Sequence, residues 1–251
     1  LFLTILTAIF SLSAIGQFSP HYQWTLLDQG LMDEIIGETS GETAYNHIIE
    51  MGAYNRNRPA SEYSSTLWEA EYVLKMLKEY NLPGAEIERF EGRPTWDGIS
   101  GELWEISPGK KKIADYDDLT AMLASGSQNA DVEAELVWIK DGSPADLEGL
   151  DLTGKIVVTS ASAGGVHDRV VELGAVGVIS FDSPRPLVDP LQIPWSGIRS
   201  RSGNVTFGFN LPPREGHLLR DRLARGEKIK VHAVVKAEMQ DLDLQVPTCV
   251  I

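Results

Sequence analysis

The chain has 251 residues, 43% of them hydrophobic, and a formal net charge of -14 at pH 7. No stripe of Lys and Arg exists to meet phosphates, so nucleic acid is not an expected partner. A single cysteine, Cys249, excludes an internal disulfide framework, and its apolar neighbours predict a small buried hydrophobic residue. The length allows two modest domains or one large one.

The first residues, LFLTILTAIFSLSAIG, are apolar and uncharged. A membrane-spanning helix needs about 20 apolar residues, so this run is too short. Ala14 and Gly16 supply the small side chains that a signal peptidase requires, and Gln17 follows. We predict a signal peptide over residues 1–16, in a sequence clipped at its start. The mature protein is then secreted or periplasmic, with no membrane attachment after cleavage.

Residues 1–80 are predicted to be helical. Leu27, Leu31 and Ile35 share one face of a helix over residues 25–38. Two further helices are predicted to begin at capping boxes, in which a hydroxyl side chain at the N-cap pairs with a Glu three residues later. These boxes are Thr39 with Glu42, and Thr66 with Glu69. The third helix has the clearest buried face, formed by Ala70, Val73, Leu74 and Leu77.

Extended runs follow at residues 85–90 and 99–106, separated by Gly and Pro. Residues 115–129 are polar and are predicted to form a short helix and a loop, with a domain boundary nearby. Residues 131–140 alternate apolar and polar side chains, which predicts a strand with one core face.

A βαβ unit is predicted over residues 152–182. Ile156 to Thr159 form a buried strand, because the run is apolar and rich in β-branched residues. Val166, Val170 and Leu173 keep a helical spacing, and Gly174 can end that helix in a left-handed conformation. A second buried strand lies within residues 175–181. Short loops join the three elements, so the two strands are expected to be parallel.

Residues 183–203 are predicted to form a long loop with four prolines, and such a loop in a compact domain is typically functional or poorly ordered. Its sequence PWSGIRSRSG contains a cluster of basic and aromatic residues. Trp195, Arg199 and Arg201 are therefore the candidate binding residues, suited to an acidic or carboxylate-bearing ligand. A solvated loop without a ligand is the simpler alternative.

The remaining elements alternate strand and helix. Residues 205–209 predict a strand. Pro213 starts a helix that Gly226 ends, and residues 229–237 predict a long strand with one wet face. The last residues, DLDLQVPTCVI, predict the start of a further strand.

No motif in the sequence predicts a catalytic site. Gly149, Gly154 and Lys155 match the spacing of a phosphate-binding loop, but a strand follows where a helix is required. The SASAGG loop precedes a helix and could hold an anion, although a tight crossover explains its small residues. The five histidines show no metal-ligand spacing, and no G-x-S-x-G motif occurs. We therefore predict no catalytic residue and no metal ligand.

The order LTGKIVV, helix, ELGAVGVISFD resembles the protease-associated (PA) domain. The stretch with Gly216, Leu219, Leu223 and Gly226, followed by a strand, fits the same family. The resemblance implies a PA domain over residues 130–238.

The flanking segments resemble secreted zinc exopeptidases of the aminopeptidase Y type, in which a PA domain is inserted near the start of the catalytic domain. The similar stretches are IGETSGETAYNHIIEMG, the region of Arg58 and Glu62 before WEAEYVLKMLKEYNL, and DLQVPTCVI. The resemblance implies two zinc ions, held by a His-x-Asp motif, a bridging Asp, a Glu-Glu pair and further Asp, Glu or His ligands. No position here matches these motifs, so the ligands are expected beyond the end of this chain.

The predicted fold is α/β, or α+β overall: a helical peptidase segment and an inserted PA domain with a mixed sheet. The predicted domains are a signal peptide (1–16), a peptidase portion (17–129), the PA domain (130–238) and a return strand (239–251). The predicted function is that of the front portion of a zinc exopeptidase acting on peptides or proteins, inactive alone, with the PA domain as lid or gate. The alternatives are a stand-alone secreted binding module and a PA domain within a serine protease.

Overall fold

The structure, a computed structural model, describes residues 27–52, 58, 60–200 and 203–250. The predicted signal peptide lies outside these residues. The chain divides into two compact units, Leu1–Tyr54 and Asn55–Ile251. Within the described ranges, no helix is long and apolar enough to cross a membrane.

The described residues of the first unit, 27–52, form two helices, α1 (Gln29–Glu38) and α2 (Gly41–Gly52). The capping box predicted at Thr39 is wrong. The Thr39 hydroxyl donates to the carbonyl oxygen of Ile35 at 2.6 Å, which ends α1. The Oγ atom of Ser40 accepts the backbone N–H of Thr43 at 3.1 Å and so caps α2. Two adjacent hydroxyl residues were available, and each serves a different helix.

The first elements among the described residues of the second unit are a short 3-10 turn (Ala60–Ser64) and helix α3 (Trp68–Glu79). This helix packs on a two-stranded antiparallel ribbon of β1 (Glu86–Phe90) and β9 (Leu244–Thr248). The second predicted capping box is also wrong. The N-cap of α3 is Leu67, whose backbone N–H donates to the Gln245 side chain at 2.8 Å. Glu69 instead pairs with Arg58 at 2.7 Å.

A seven-stranded mixed sheet forms the larger part of this unit. Its strands are β2 (Thr95–Ser107), β3 (Lys111–Asp115), β4 (Ala130–Trp138), β5 (Ile156–Thr159), β6 (Gly177–Ser180), β7 (Phe207–Asn210) and β8 (Lys230–Gln240). Their spatial order is β3-β2-β8-β4-β5-β6-β7. Strands β4 to β7 run parallel, as predicted for β5 and β6, and β8, β2 and β3 add antiparallel neighbours. The predicted mixed α/β class is confirmed.

Strands β2 and β8 are the longest of the sheet and pair along their whole length. The register runs from Thr95 opposite Gln240 to Ser107 opposite Lys230, with two irregularities. Two strands of the sheet, β2 and β3, precede residue 130 in the sequence. Residues 115–129 contribute a 3-10 turn (Thr120–Met122) and a segment that covers the outer edge of β7.

One helix covers each face of the parallel strands. Helix α5 (Ala163–Glu172) packs through Val166 and Val170 with Val157 and Val178. Helix α6 (Pro213–Ala224) packs through Leu219 on the other face, with Ile156, Val158 and Ile179. Because side chains alternate along a strand, a continuous apolar run supplies both of these cores. A short helix α4 (Pro144–Leu147) precedes β5.

The two predicted glycine caps are confirmed, because Gly174 has φ +91° and Gly226 has φ +82°. Two predicted positions differ from expectation. Leu173, which keeps the helical spacing of Val166 and Val170 in the sequence, is 45% exposed because it forms the C-cap beyond the last helical turn. Cys249, predicted to be buried, is only partly buried next to the end of β9.

Candidate functional site

The carboxyl ends of β5, β6 and β7 carry buried polar side chains. In α/β sheets this edge is the usual location of a ligand site. The Thr159 hydroxyl donates to the carbonyl oxygen of Lys140 at 2.7 Å, and the Ser180 hydroxyl donates to that of Ala161 at 2.7 Å. Asn210 donates to the carbonyl oxygen of Ala121 at 2.9 Å. These side chains fix the loops above the strands, and no base among these partners activates either hydroxyl.

The long loop after β6 covers this edge and is fixed at its carboxyl end. Ile198 is buried, its N–H donates to the carbonyl oxygen of Ser125 at 2.8 Å, and the Ser196 hydroxyl donates to Asn210 at 2.7 Å. The Gly197 carbonyl oxygen lies so close to α5 that a Cβ at Gly164 would be 2.4 Å from it. The SASAGG segment is thus a close-packed crossover, covered by backbone at the start of α5.

The middle of the same loop presents apolar side chains to solvent. Leu187 is 96% exposed, Val188 82%, Trp195 73% and Leu191 56%. Prolines stiffen the segment, and the N–H of Arg214 on α6 donates to the Pro190 carbonyl oxygen at 3.0 Å. Apolar side chains held in this way form a surface suited to binding rather than to chemistry. We call Leu187, Val188, Leu191 and Trp195 the apolar loop surface.

The predicted binding residues are only partly brought together. Trp195 and Arg199 are both exposed in the loop, on either side of the buried Ile198, and Arg201 lies outside the described residues. Arg185, also exposed, adds a second cation at the start of the loop. The sequence patterns did not identify Leu187, Val188 and Leu191 as candidate binding residues. Their position between prolines was the available signal.

The described histidines lie in separate environments. His167 is fully buried, and its Nε2 atom accepts the backbone N–H of Thr206 at 3.2 Å. The Nδ1 atom of His167 lies 3.4 Å from the Asp168 carboxylate. His217 packs against the edge of Phe181, and Nε2 of His232 lies 2.7 Å from Asp131. Among residues 27–52, 58, 60–200 and 203–250, no three potential ligands gather to hold a metal ion.

A second group of ionisable residues lines a cleft of about 330 Å³ between β2, β3 and α6. Arg222 donates two hydrogen bonds to the buried Glu105 carboxylate, at 2.6 and 2.7 Å, and also pairs with Glu227. These hydrogen bonds lower the pKa of Glu105 below its usual range and raise that of Arg222. The ion pair accounts for both shifts, so this cleft has a structural explanation.

The sequence matches none of the protein-family models and none of the curated proteins with which it was compared. Several solved structures are similar. An aminopeptidase from Aneurinibacillus sp. strain AM-1 shares 25% identity at a TM-score of 0.52, and the match covers 84% of this chain and 48% of that protein.

A peptidase M28 precursor from Shewanella amazonensis SB2B matches at a TM-score of 0.50 with 14% identity, over 71% of this chain and 43% of that one. Over the matched residues this chain has a peptidase M28-like fold. A zinc aminopeptidase from Bacillus subtilis is similar at a TM-score of 0.48 with 19% identity, over 74% of this chain and 40% of its own length. The chain spans about half the length of these peptidases or less.

Proposed function

We propose that these residues form the front portion of an exported zinc-dependent exopeptidase of the aminopeptidase type, with an inserted PA domain that gates peptide substrates. The proposal rests on the sequence resemblance and on the similarity to the Aneurinibacillus aminopeptidase. The apolar loop surface, with Arg199 beside it, is the part of the inserted domain that we assign to peptide contact.

The observation that carries the proposal is the pairing of β1 with β9. These strands are neighbours in space, with Phe90 opposite Leu244, although the whole seven-stranded sheet lies between them in sequence. A domain inserted into a host sheet leaves and returns in this way. We therefore propose that the inserted domain runs from Thr95 to Gln240, which includes β2 and β3 and is longer than the sequence analysis predicted.

The β1–β9 ribbon has the character of one part of a larger sheet. One face packs on α3, where Arg89 and Gln245 bond to residues before the helix. The opposite face exposes Phe90 (49%), Leu244 (59%) and Val246 (43%). A two-stranded ribbon is marginally stable alone, and apolar side chains on its free face favour a cover. The proposed cover is the remainder of a catalytic domain.

Zinc does not fit the described residues, because they contain no cluster of three or more possible ligands. We propose that the zinc ligands lie in the remainder of the catalytic domain and that the described residues have two roles. The ribbon and α3 support the catalytic fold, and the inserted domain controls which peptides reach it.

The second candidate is a secreted binding module without catalysis. The apolar loop surface favours it, since exposed apolar side chains on a rigid loop suit recognition of a peptide or protein. Both candidates use the same surface, and only hydrolysis separates them.

The test compares two purified proteins: the polypeptide translated from the whole reading frame, and residues 17–251 alone. We expect the first to release leucine from leucine amide, to lose this activity with a chelator and to regain it with Zn²⁺. We expect residues 17–251 to be inactive. Metal-dependent hydrolysis by residues 17–251 would overturn the proposed division of labour. A whole polypeptide that is folded, inactive with Zn²⁺, and still binds peptides would favour the binding module.

A further inference from the structure

The last part of β8 has a strand neighbour on one side only. Strand β2 pairs with β8 as far as Gln240, whereas the pairing of β4 with β8 ends where Ala130 lies opposite Val235. Among the described residues, no strand lies beside residues 236–240 on the β4 side. An unpaired side of this kind presents backbone donors and acceptors to which another strand can be added.

A side-chain contact shows which backbone groups face this edge. Asn129 directly precedes β4, and its Oδ1 atom accepts the Ala237 N–H at 2.7 Å, in the place of a strand neighbour. Backbone groups alternate in direction along an antiparallel strand, so the N–H and carbonyl of Met239 face the same side as those of Ala237. The Ala237 carbonyl and both backbone groups of Met239 therefore point to the position that a further strand would occupy.

The outer edge of β7, in contrast, is covered by the chain itself. The N–H of Ala124 donates to the Gly208 carbonyl oxygen at 2.9 Å, and the N–H of Gln128 donates to that of Thr206 at 2.8 Å. The same segment then enters β4 and does not continue beside β8. Within the described part of the chain, residues 236–240 are left as an uncovered edge.

A groove of about 640 Å³ lies beside this uncovered edge. Its apolar lining includes Ile99, Ala130 and Val234, and Ile99 is 48% exposed at an irregularity in the pairing of β2 with β8. Irregularities of this kind often re-aim a side chain next to a binding site. The groove offers apolar contact to side chains and the edge offers hydrogen bonds to a backbone, which is the combination that binds a peptide by strand addition.

The charges along this edge give a bound peptide a direction. Lys236 is exposed at one end, whereas Glu238 and the DLD sequence of residues 241–243 make the other end acidic. Asp131 also lines the groove, but its carboxylate is hydrogen-bonded to His232 at 2.7 Å. A peptide antiparallel to β8, as β4 is, directs its amino terminus to the acidic end and its carboxyl terminus towards Lys236. Complementary charges of this kind fix the direction in which a ligand binds.

We propose that residues 236–240 bind an extended peptide as an added antiparallel strand, with the amino terminus of the peptide directed to the acidic end of β8. That end leads into the segment before β9, so the amino terminus points towards the ribbon that we assign to the catalytic part. That the peptide is a substrate rests on the proposed function, whereas its binding does not. Backbone pairing depends little on side chains, so the edge accepts peptides of many sequences.

The test measures binding of the peptide Thr-Val-Thr-Val-Thr-amide to the full chain. Its β-branched residues favour an extended conformation. NMR spectra of the Ala237 and Met239 amides locate the peptide, and titration calorimetry measures its affinity. A second probe, N-methylated at the three central residues, keeps the side chains and lacks the backbone donors. A third probe, acetylated at its amino terminus, keeps the donors and lacks the terminal charge.

A pair of variants at Met239 tests the edge from the side of the protein. Met239→Pro removes the N–H that faces the edge, and proline is tolerated in a strand where its nitrogen faces no strand partner. Met239→Ala is the matched control, because it keeps the N–H and shortens a side chain that is 59% exposed.

We expect the first probe to shift the Ala237 and Met239 amide signals. Its affinity should fall about tenfold on N-methylation and in Met239→Pro, because backbone hydrogen bonds are lost, and should be unchanged in Met239→Ala. Acetylation should weaken binding about threefold, as expected for an exposed charge pair.

Two results would overturn the strand addition: equal affinities for the first and the N-methylated probe, or binding that leaves both amide signals unchanged. Either result can be obtained with the parent chain even if Met239→Pro does not fold. An acetylated probe that binds as tightly as the first would overturn the proposed direction. None of these measurements involves hydrolysis, so absent binding is distinct from a whole polypeptide that lacks peptidase activity.

Discussion

At the scale of single residues, the most consequential side chains are ionisable groups that no sequence motif marks. Glu105 is 4% exposed, and Arg222 reaches it from α6, far along the chain. The periodicity of β2 predicts a strand but gives no sign of this partner. Asp97 was equally invisible, because only the pairing of β2 with β8 places it opposite Glu238. Sequence motifs report local chemistry, and these contacts are not local.

Arg222→Met tests the buried ion pair. Removal of one partner leaves the Glu105 carboxylate buried without compensation, so the free energy of unfolding should fall by about 3 kcal/mol. Urea denaturation followed by circular dichroism measures the loss. Arg220→Met is the matched control, because Arg220 pairs with Asp221 at the surface and should cost at most about 1 kcal/mol. Equal losses in the two variants would contradict the structural role of Arg222.

The carboxyl groups of Glu105 and Asp97 predict opposite dependences of the free energy of unfolding on pH. The pKa of Glu105 is lowered in the fold, so its stabilisation is present above its unfolded pKa and is lost as pH falls. The pKa of Asp97 is raised in the fold, so the protonated form is favoured and stability is lost as pH rises from the unfolded pKa through the folded one.

Asp97→Asn tests the prediction that the Asp97 carboxyl group lowers stability as pH rises. The amide removes the charge opposite Glu238, and that charge adds to burial in raising the pKa of Asp97. We expect the variant to be more stable than the parent at pH 7, with the gain shrinking as pH is lowered to 4. Thermal unfolding at a series of pH values measures the difference. If Asp97→Asn is less stable than the parent at pH 7, or if its gain in stability grows as pH is lowered, the predicted pH dependence at Asp97 is wrong.

At the scale of elements, the sequence predicted most strands and helices because their signals are local and repeated. The apolar run of β5 matches the predicted range, and both glycine caps were correctly identified. Both predicted capping boxes were wrong for a physical reason. Neighbouring polar residues compete for the same N-terminal N–H groups, and tertiary partners such as Gln245 can replace a side-chain cap.

Gly174→Ala tests the end of α5. A left-handed conformation costs an alanine about 1 to 2 kcal/mol, and at Gly174 the new Cβ would also lie 3.0 Å from the Thr153 Cα atom. Gly226→Ala has the same backbone cost with no atom within 4 Å of the new Cβ. The free energy of unfolding should therefore fall more for Gly174→Ala than for Gly226→Ala. The reverse order in chemical denaturation would contradict the packing described around Thr153.

The apolar loop surface is also an element with its own test. Trp195 is 73% exposed, so Trp195→Ala should change the free energy of unfolding by less than about 0.5 kcal/mol. If the loop contacts peptides, binding should weaken by about 1 kcal/mol, or roughly fivefold, as measured by titration calorimetry with an apolar acidic peptide. Leu218→Ala on α6, also more than half exposed, should leave binding unchanged. Unchanged binding in Trp195→Ala would remove the loop from the proposed site.

At the scale of the whole molecule, the sequence predicted the class of fold but not the extent of the large sheet. Residues 85–107 read as short extended runs, and nothing local shows that the first joins β9 while the second joins β8. Long-range strand pairing decides both assignments. The candidate site was predicted only in part, because long-range contacts decide it as well. The exposure of Leu187 and Val188 depends on what the loop packs against.

The pairing of Phe90 with Leu244 also permits the most direct test of the proposed gate. In the polypeptide translated from the whole reading frame, residues 91–243 can be replaced by Asn-Gly, a two-residue turn that suits adjacent antiparallel strands. The measurement is the ratio of kcat/KM for a pentapeptide to kcat/KM for leucine amide. We predict that the shortened enzyme still cleaves leucine amide and that this ratio rises, because the gate against longer peptides is gone. An unchanged ratio in an active shortened enzyme would contradict the gating role of the inserted domain.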